Sequence, residues 1–334
     1  MKGVAALGVI FVAGCAMSAG AQPITAQPAN AASPEARAVA FLIREVPRWK
    51  AENDCYSCHN NGDAARALIA AAARGFSVGT AMDDTLDWLR KPGGWNKNKT
   101  TGGIDDKPLA RIQFASALRM AADTGRASHQ ALAEAAQIVA ADQKPDGSWQ
   151  LDSSQSLGSP ATYGTTLATA AARRTLAASA RADVQPALDK ADAWLRSAKV
   201  DTVIDAAAVV LALEHTDDVR AVAQRMRALR TLQSGQSASG GWGPYVNVGP
   251  QVFDTALALL ALDGLRSKPA LAMPVFSSAQ TAEAVRRARD YLIAQQNDDG
   301  SWPETTRPAN QESYAQRIST TGWALLALLA TAQP

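Results

Sequence analysis

Cysteine and histidine are scarce in this chain, three of each among 334 residues. A structural zinc site needs four ligands, and so few sulfur and imidazole groups do not supply a second set beyond one short cluster. Positive charge is not concentrated either. The formal net charge is +2, no long Lys/Arg run appears, and nothing points to a nucleic-acid partner. Charged residues supply 19%, below the usual share of about a quarter, while alanine is abundant, which suits closely packed helices. No β-rich segment stands out. The apolar run Gly3 to Gly14 is too short to anchor the chain across a bilayer.

What is present begins with Cys55-Tyr56-Ser57-Cys58-His59, which gathers most of the reactive side chains into five residues. A disulfide between Cys55 and Cys58 would close a very small, strained ring and leave His59 unexplained. Two thiols three residues apart can instead add across the two vinyl groups of a haem, and the adjacent imidazole then reaches the iron. The pattern resembles the C-x-x-C-H motif of cytochromes c. That resemblance implies one covalent haem c, with Cys55 and Cys58 in thioether links and His59 as an axial ligand. The second axial ligand stays open between weak candidates, Met82 and Met120, with Met226 and Met273 the other unassigned methionines. Asn60 and Asn61 are possible neighbours of the ligand shell.

The N-terminus carries an export signal: Met1-Lys2, then the apolar run. Two cleavage sites compete. Ala19-Gly20-Ala21 fits ordinary removal of a signal peptide over 1–21. Val12-Ala13-Gly14-Cys15 resembles a lipobox, giving a lipoprotein signal over 1–14 and a lipid anchor at Cys15. Either outcome exports the chain, to the periplasm or to an outer-membrane anchor. Residues 22–33, rich in Ala, Pro, Gln and Ser, read as a flexible leader.

A folded domain is expected over 34–334. Ser33-Pro34-Glu35 supplies an N-cap, a proline for the first turn and an acid for the dipole. Val39, Leu42, Ile43 and Val46 follow at helical spacing, and Pro47 bends or ends that helix. Trp49 arrives just ahead of the cysteines, able to pack on a porphyrin edge or in the core. After His59, Asn60-Asn61-Gly62 predicts a turn and Asp63 the cap of a helix over 64–74 closed by Gly75. The haem motif is therefore expected in the loop of a helical hairpin spanning 34–75.

The rest is repetitive. Gln143-Lys144-Pro145-Asp146-Gly147-Ser148-Trp149, Gln236 to Trp242 and Gln296 to Trp302 keep Gln, then Gly four residues on, then Trp two further. Gly93-Gly94-Trp95 is a worn copy with Leu89 in the place of glutamine. Each copy separates a one-sided helix (130–143, 218–233, 282–296) from an alanine-rich one apolar on most sides (165–176, 254–265, 320–330). One-sided helices lie outside and all-round apolar ones inside. A pair without the motif fits at 184–197 and 201–214. With the haem hairpin, the count is six pairs.

The repeats resemble the QW motifs of the squalene–hopene cyclase and protein prenyltransferase superfamily. That resemblance implies an all-α fold, an (α/α) toroid around a central cavity. Its staples are structural: a Gly with positive φ, a buried Trp, and a Gln expected to bond the free amides of the next helix. Cyclase chemistry is not expected. The family's Asp-x-Asp-Asp-Thr-Ala appears as Gln251-Val252-Phe253-Asp254-Thr255-Ala256, with Phe253 where the proton-donating Asp belongs and Asp254 reading as an N-terminal cap. Met82-Asp83-Asp84-Thr85 reads as the start of an outer helix. A prenyltransferase zinc set has no cysteine left to use, and no spacing picks out a pair of glycosidase carboxylates. His129 and His215 read as surface residues. The expected function is an exported monohaem cytochrome passing electrons to a redox partner protein. Two alternatives stay open: a peroxidase- or oxygenase-like haem enzyme acting on an apolar or glycan-like ligand in the cavity, and a haem-containing binding or assembly module.

Overall fold

The computed structural model describes residues 1, 32–99, 106–149, 157–266, 275–307 and 310–332. Beyond Met1, the expected signal and nearly all of the expected leader, including Cys15 and both candidate cleavage sites, lie outside the described residues, as does Met273. Among the described residues no helix is long and apolar enough to cross a membrane.

From Ser33 onward the chain alternates outer and inner helices. The outer set is α1 (Pro34–Asn53), α3 (Asp83–Leu89), α5 (His129–Ala140), α7 (Gln185–Ser197), α9 (Val219–Gly235) and α11 (Ser278–Ala294). The inner set is α2 (Ala65–Ala73), α4 (Lys107–Asp123), α6 (Thr165–Ser179), α8 (Val203–Leu213), α10 (Val252–Arg266) and α12 (Tyr314–Thr331). Burial separates the two sets as the apolar patterning predicts. Inner α8 buries nine of its eleven residues, whereas outer α7 buries only Ala191 and Leu195. Each inner helix packs on the next, and α12 returns to α2, so six pairs close into an (α/α) toroid. The alanines let the inner helices approach closely, and the core is continuous around the ring. The inner helices run parallel: the α6 and α8 N-termini meet through Thr166 Oγ1 and Asp205 Oδ1 at 2.7 Å, their C-termini through Arg174 and Glu214.

The repeated turns are staples with common geometry. Gly147, Gly240 and Gly300 have φ of +97°, +95° and +92°, and a Cβ there would stand 2.3–2.4 Å from the carbonyl oxygens of Lys190, Arg287 and Arg37. Glycine is required on both counts. Trp149, Trp242 and Trp302 are buried, and their indole N–H groups donate to Val139, Leu232 and Leu292 carbonyls at 2.7–2.8 Å. Their backbone amides donate to Thr169, Thr255 and Thr321 on the following inner helix. The glutamines differ from expectation. Each side-chain amide donates to carbonyls instead of meeting free amides: its own motif glycine, and Ala187, Ala284 or Pro34 on the next outer helix. The first turn of a helix leaves its N–H groups toward the preceding loop, but these staples run alongside the helix, where carbonyls are what they meet. Gln296 thereby ties α11 to α1 and closes the outer ring.

Two local expectations are narrowed or corrected. Of the two outcomes expected at Pro47, ending the helix is excluded, since α1 continues to Asn53. Asn60-Asn61-Gly62 is not a turn, and Asp63 is not a helix cap. Cys58–Ala64 forms a π-helical segment that runs straight into α2, with Ser57 as its cap, accepting from the amides of His59 and Asn60. The physical reason is burial. Asn60, Asn61 and Asp63 face the core, where the wider π-helix lets their side chains reach partners on α1, α4 and α12. Cys55, Tyr56 and Ser57 lie in the expected connection between two helices, while Cys58 and His59 already belong to the π-helical segment that leads into the inner helix. Gly75 does adopt the left-handed conformation after α2, with φ of +87°.

Candidate functional site

The motif sits where α1, the π-helical segment and α12 meet. Asn60 donates to the Glu45 carbonyl at 2.7 Å and to the Tyr314 hydroxyl at 2.8 Å. Asn61 donates to the Val46 carbonyl at 3.3 Å and Thr85 Oγ1 at 2.8 Å, and accepts from the Ser57 amide at 2.9 Å. Both asparagines therefore fix the motif's backbone to the turn ahead of Pro47, and their side chains bond these groups, not the imidazole. Trp49 stacks on Tyr314 at 5.7 Å and directs its N–H at Cys55 Sγ, 3.3 Å away.

His59 is held by a relay that crosses the ring seam. Its Nδ1 lies 3.1 Å from Ser319 Oγ, and that hydroxyl donates to Asp63 Oδ2 at 3.0 Å. Asp63 is buried and also accepts from Gln113 Nε2 at 2.9 Å and from the Tyr163 hydroxyl. Three donors on one carboxyl suit its ionised form. Burial nevertheless raises the Asp63 carboxyl above its ordinary range, with the charge of Arg66 and then these hydrogen bonds only partly offsetting it. Because the Ser319 proton goes to Asp63, the oxygen is free only to accept from the imidazole. Nδ1 therefore carries the proton and Nε2 the lone pair. Desolvation pushes His59 down to about 4, so the ring is neutral near pH 7.

Covalent haem requires two unbridged thiols and an imidazole nitrogen with an available lone pair. Cys55 and Cys58 are not joined in a disulfide. Cys55 is buried, while Cys58 and His59 are partly exposed. Burial, then the Asp63 charge, pushes the Cys58 thiol up to about 12, so it stays protonated. Cys58 Sγ lies 3.6 Å from His59 Nε2, and that thiol must turn aside before the nitrogen can take a metal. With that rotation the donor set fits the group: a neutral imidazole with its back nitrogen anchored, flanked by two thiols. Among the described residues no cluster of three or more His, Cys, Asp or Glu groups is placed to hold a bare metal ion.

The candidate sixth ligands are elsewhere. Met82 is 2% exposed, packed in the core ahead of α3. Met120 follows Gln113 by seven residues on α4, about 10 Å further along the helix, and Gln113 already reaches Asp63 and not His59. Met120 lines the central cavity, which the motif residues do not line. His129 is exposed, and His215 is 63% exposed beside Glu214. Asp254 does not cap α10 as expected; its Oδ2 pairs with Arg307, which also donates to Gln251 Oε1 at 2.9 Å and to the Gly158 carbonyl. Phe253 packs edge-on against Trp323 at 5.8 Å. Ser319, Tyr163 and Gln113 were not singled out by sequence, since they join Asp63 from 50 to 256 residues away with no motif around them.

Comparison with known proteins agrees on the architecture. Residues 205–334 match the squalene-hopene cyclase C-terminal domain family. Lanosterol synthase erg7A of Aspergillus fumigatus is 28% identical over 122 residues, 35% of this chain but only 14% of that enzyme. Among solved structures, a glycosyl hydrolase family 88 protein from Bacteroides vulgatus superposes with a TM-score of 0.54 at 12% identity, covering 89% of this chain and 98% of the other. The type II terpene cyclase MstE from Scytonema gives 0.51 at 16% identity, covering 89% and 96%. The fold is a cyclase-like α/α toroid, a scaffold shared by cyclases and glycoside hydrolases.

Proposed function

We propose that the protein is an exported monohaem c-type cytochrome built on a cyclase-like toroid, exchanging single electrons with a redox partner protein. The observation that carries the reading is the contact of His59 Nδ1 with Ser319 Oγ at 3.1 Å, backed by Asp63, which leaves Nε2 as the nitrogen for a metal beside two unbridged thiols. Outer hydrogen bonds of this kind orient a ligating imidazole and raise its basicity. Bound haem c would supply one-electron chemistry at its iron. The chain's part is to bond the macrocycle through Cys55 and Cys58, to hold the imidazole, and to keep the relay dry behind it. The export signal fits this reading, because covalent haem is attached on the exported side of bacterial membranes; the destination is the periplasm, or an outer-membrane anchor if Cys15 is lipidated.

The cyclase reading gains nothing from the site. Phe253 stands where a proton donor would be needed, and Asp254 is committed to Arg307. The test is a pyridine haemochrome spectrum and haem stain on protein exported through a haem c maturation system, with Cys55→Ala and Cys58→Ala alongside. One covalent haem is expected in the parent, and none retained through both links in either variant. Exported protein with both thiols open to alkylation and no covalent pigment overturns the proposal.

A further inference from the structure

The central cavity holds about 250 Å³ and is walled by all six inner helices. Its most unusual lining residue is Arg66 of α2. Arg66 is 7% exposed, and its guanidinium carbon stands over the Trp323 ring, 4.0 Å from the centroid. Nε and Nη2 are both buried without a hydrogen-bond acceptor, and neither has surface open to the cavity, so the side chain must turn before a ligand meets them. The nearest carboxylate oxygen, Asp63 Oδ1, is 3.7 Å from Nη2, and Asp63 already accepts from Tyr163, Ser319 and Gln113. A buried donor left unmade costs about 1–3 kcal/mol, and more when charged. Folded chains rarely keep such a group on a cavity wall unless something else completes it.

We propose that the cavity is a binding site for a small monocarboxylate with an apolar body, its carboxylate received by Arg66. The assignment does not rest on the haem. Guanidinium and carboxylate are matched in plane and charge, and the pair strengthens where water is excluded. Two more arginines face the same space. Arg119 is paired to Asp123 at 2.6 Å and Arg174 loosely to Glu214 at 3.9 Å. Burial, then the charge of Arg174, holds Arg119 down to about 10, as expected where cations crowd one space. The acids Glu214 and Asp263 also line the cavity and oppose a second negative charge on the ligand. A phosphate dianion is disfavoured for that reason. The body of the ligand meets Leu167, Leu260 and Leu326, while Ala170 and Ala171 leave it room. The volume equals on the order of eight water volumes, which fits a six-carbon acid.

The experiment is titration calorimetry on the full exported protein with hexanoate, and with hexanol and inorganic phosphate as separate arms. One saturable hexanoate site is expected, with hexanol at least tenfold weaker and no phosphate binding in the same range. Arg66→Gln is expected to weaken hexanoate at least tenfold, and Ala171→Leu, which fills the cavity without touching a charge, to abolish it. If Arg66→Gln does not fold by circular dichroism, Ala171→Leu and the hexanol comparison decide. Failure of hexanoate to saturate, equal affinity for hexanol, tighter binding of phosphate, or binding unchanged in Ala171→Leu would each overturn the assignment. A chain without haem that still binds hexanoate leaves the inference standing and the cytochrome reading refuted, so the two fail separately.

Discussion

Ser319 Oγ stands 3.1 Å from His59 Nδ1, joining the last inner helix to the first across 260 residues of chain. Closing the toroid and orienting the imidazole are therefore one event. The hydroxyl passes the influence of Asp63 to the ring, raising its basicity and favouring the oxidised state of a metal bound at Nε2.

Ser319→Ala removes that link and leaves Nδ1–H without its acceptor. If the proposed haem c is bound, its midpoint potential is expected to rise by up to about 59 mV, the one-electron equivalent of a tenfold change in relative ligation. Ser319→Thr, which keeps the hydroxyl, is expected to restore most of the parent value. Potentiometric titration of the three proteins is the check, and a lowered or unmoved potential in Ser319→Ala contradicts the relay.

The six-pair toroid was legible because its signals are local and periodic. Gln296, Gly300 and Trp302 occupy fixed steps in the chain, and each step reports one turn whose geometry repeats. The Ser33-Pro34-Glu35 helix start was legible for the same reason. Asp63 was not. Its sequence neighbours, Asn61 and Gly62, resemble a turn, and only the approach of α1, α4 and α12 turns that stretch into a buried π-helical segment. Arg66 was likewise invisible: one arginine among alanines reads as a solvated residue until Trp323 covers it. Periodicity reveals which face of a helix is buried, but not which distant polar group meets it there.

The staple glycines separate two causes of glycine dependence. Gly75 and Gly300 share a positive φ, +87° and +92°, but nothing lies within 4 Å of a Cβ at Gly75, whereas one at Gly300 would meet Arg37 O at 2.3 Å. Gly75→Ala is expected to cost about 1–2 kcal/mol, the left-handed penalty alone. Gly300→Ala is expected to cost more than about 3 kcal/mol, because α1 must shift as well. Denaturant melts of both variants test this, and equal losses would exclude the steric component.

The indoles of the staples carry two separable contributions. Trp242→Phe keeps an aromatic ring but loses the 2.7 Å bond to Leu232 O, an expected loss of about 1–3 kcal/mol. Trp242→Ala also leaves a cavity, for about 3–5 kcal/mol. Because Trp242 acts only as scaffold, the optical spectrum of the proposed haem is expected to stay unchanged in whichever variant folds. Altered haem bands in Trp242→Phe would show that the motif reaches the site.

Asp254 is fully buried, and burial outweighs Arg307 to raise its carboxyl from 3.8 to about 6. Its Oδ1 has no hydrogen-bond partner, which leaves that oxygen available for the proton. Between about pH 4 and pH 6 the folded chain then holds a proton that the unfolded chain has released. The contribution is fully present below the unfolded value and is lost as pH rises through the folded one. Relative to Asp254→Asn, the parent should therefore lose stability with rising pH over that window, by up to about 1.4 kcal/mol per unit. Above pH 6 the difference between the two proteins should become constant. Urea melts of both at half-unit steps from pH 4 to pH 8 measure it. A difference that is flat throughout, or that grows in the parent's favour as pH rises, would mean that Arg307 keeps the carboxylate ionised despite its burial.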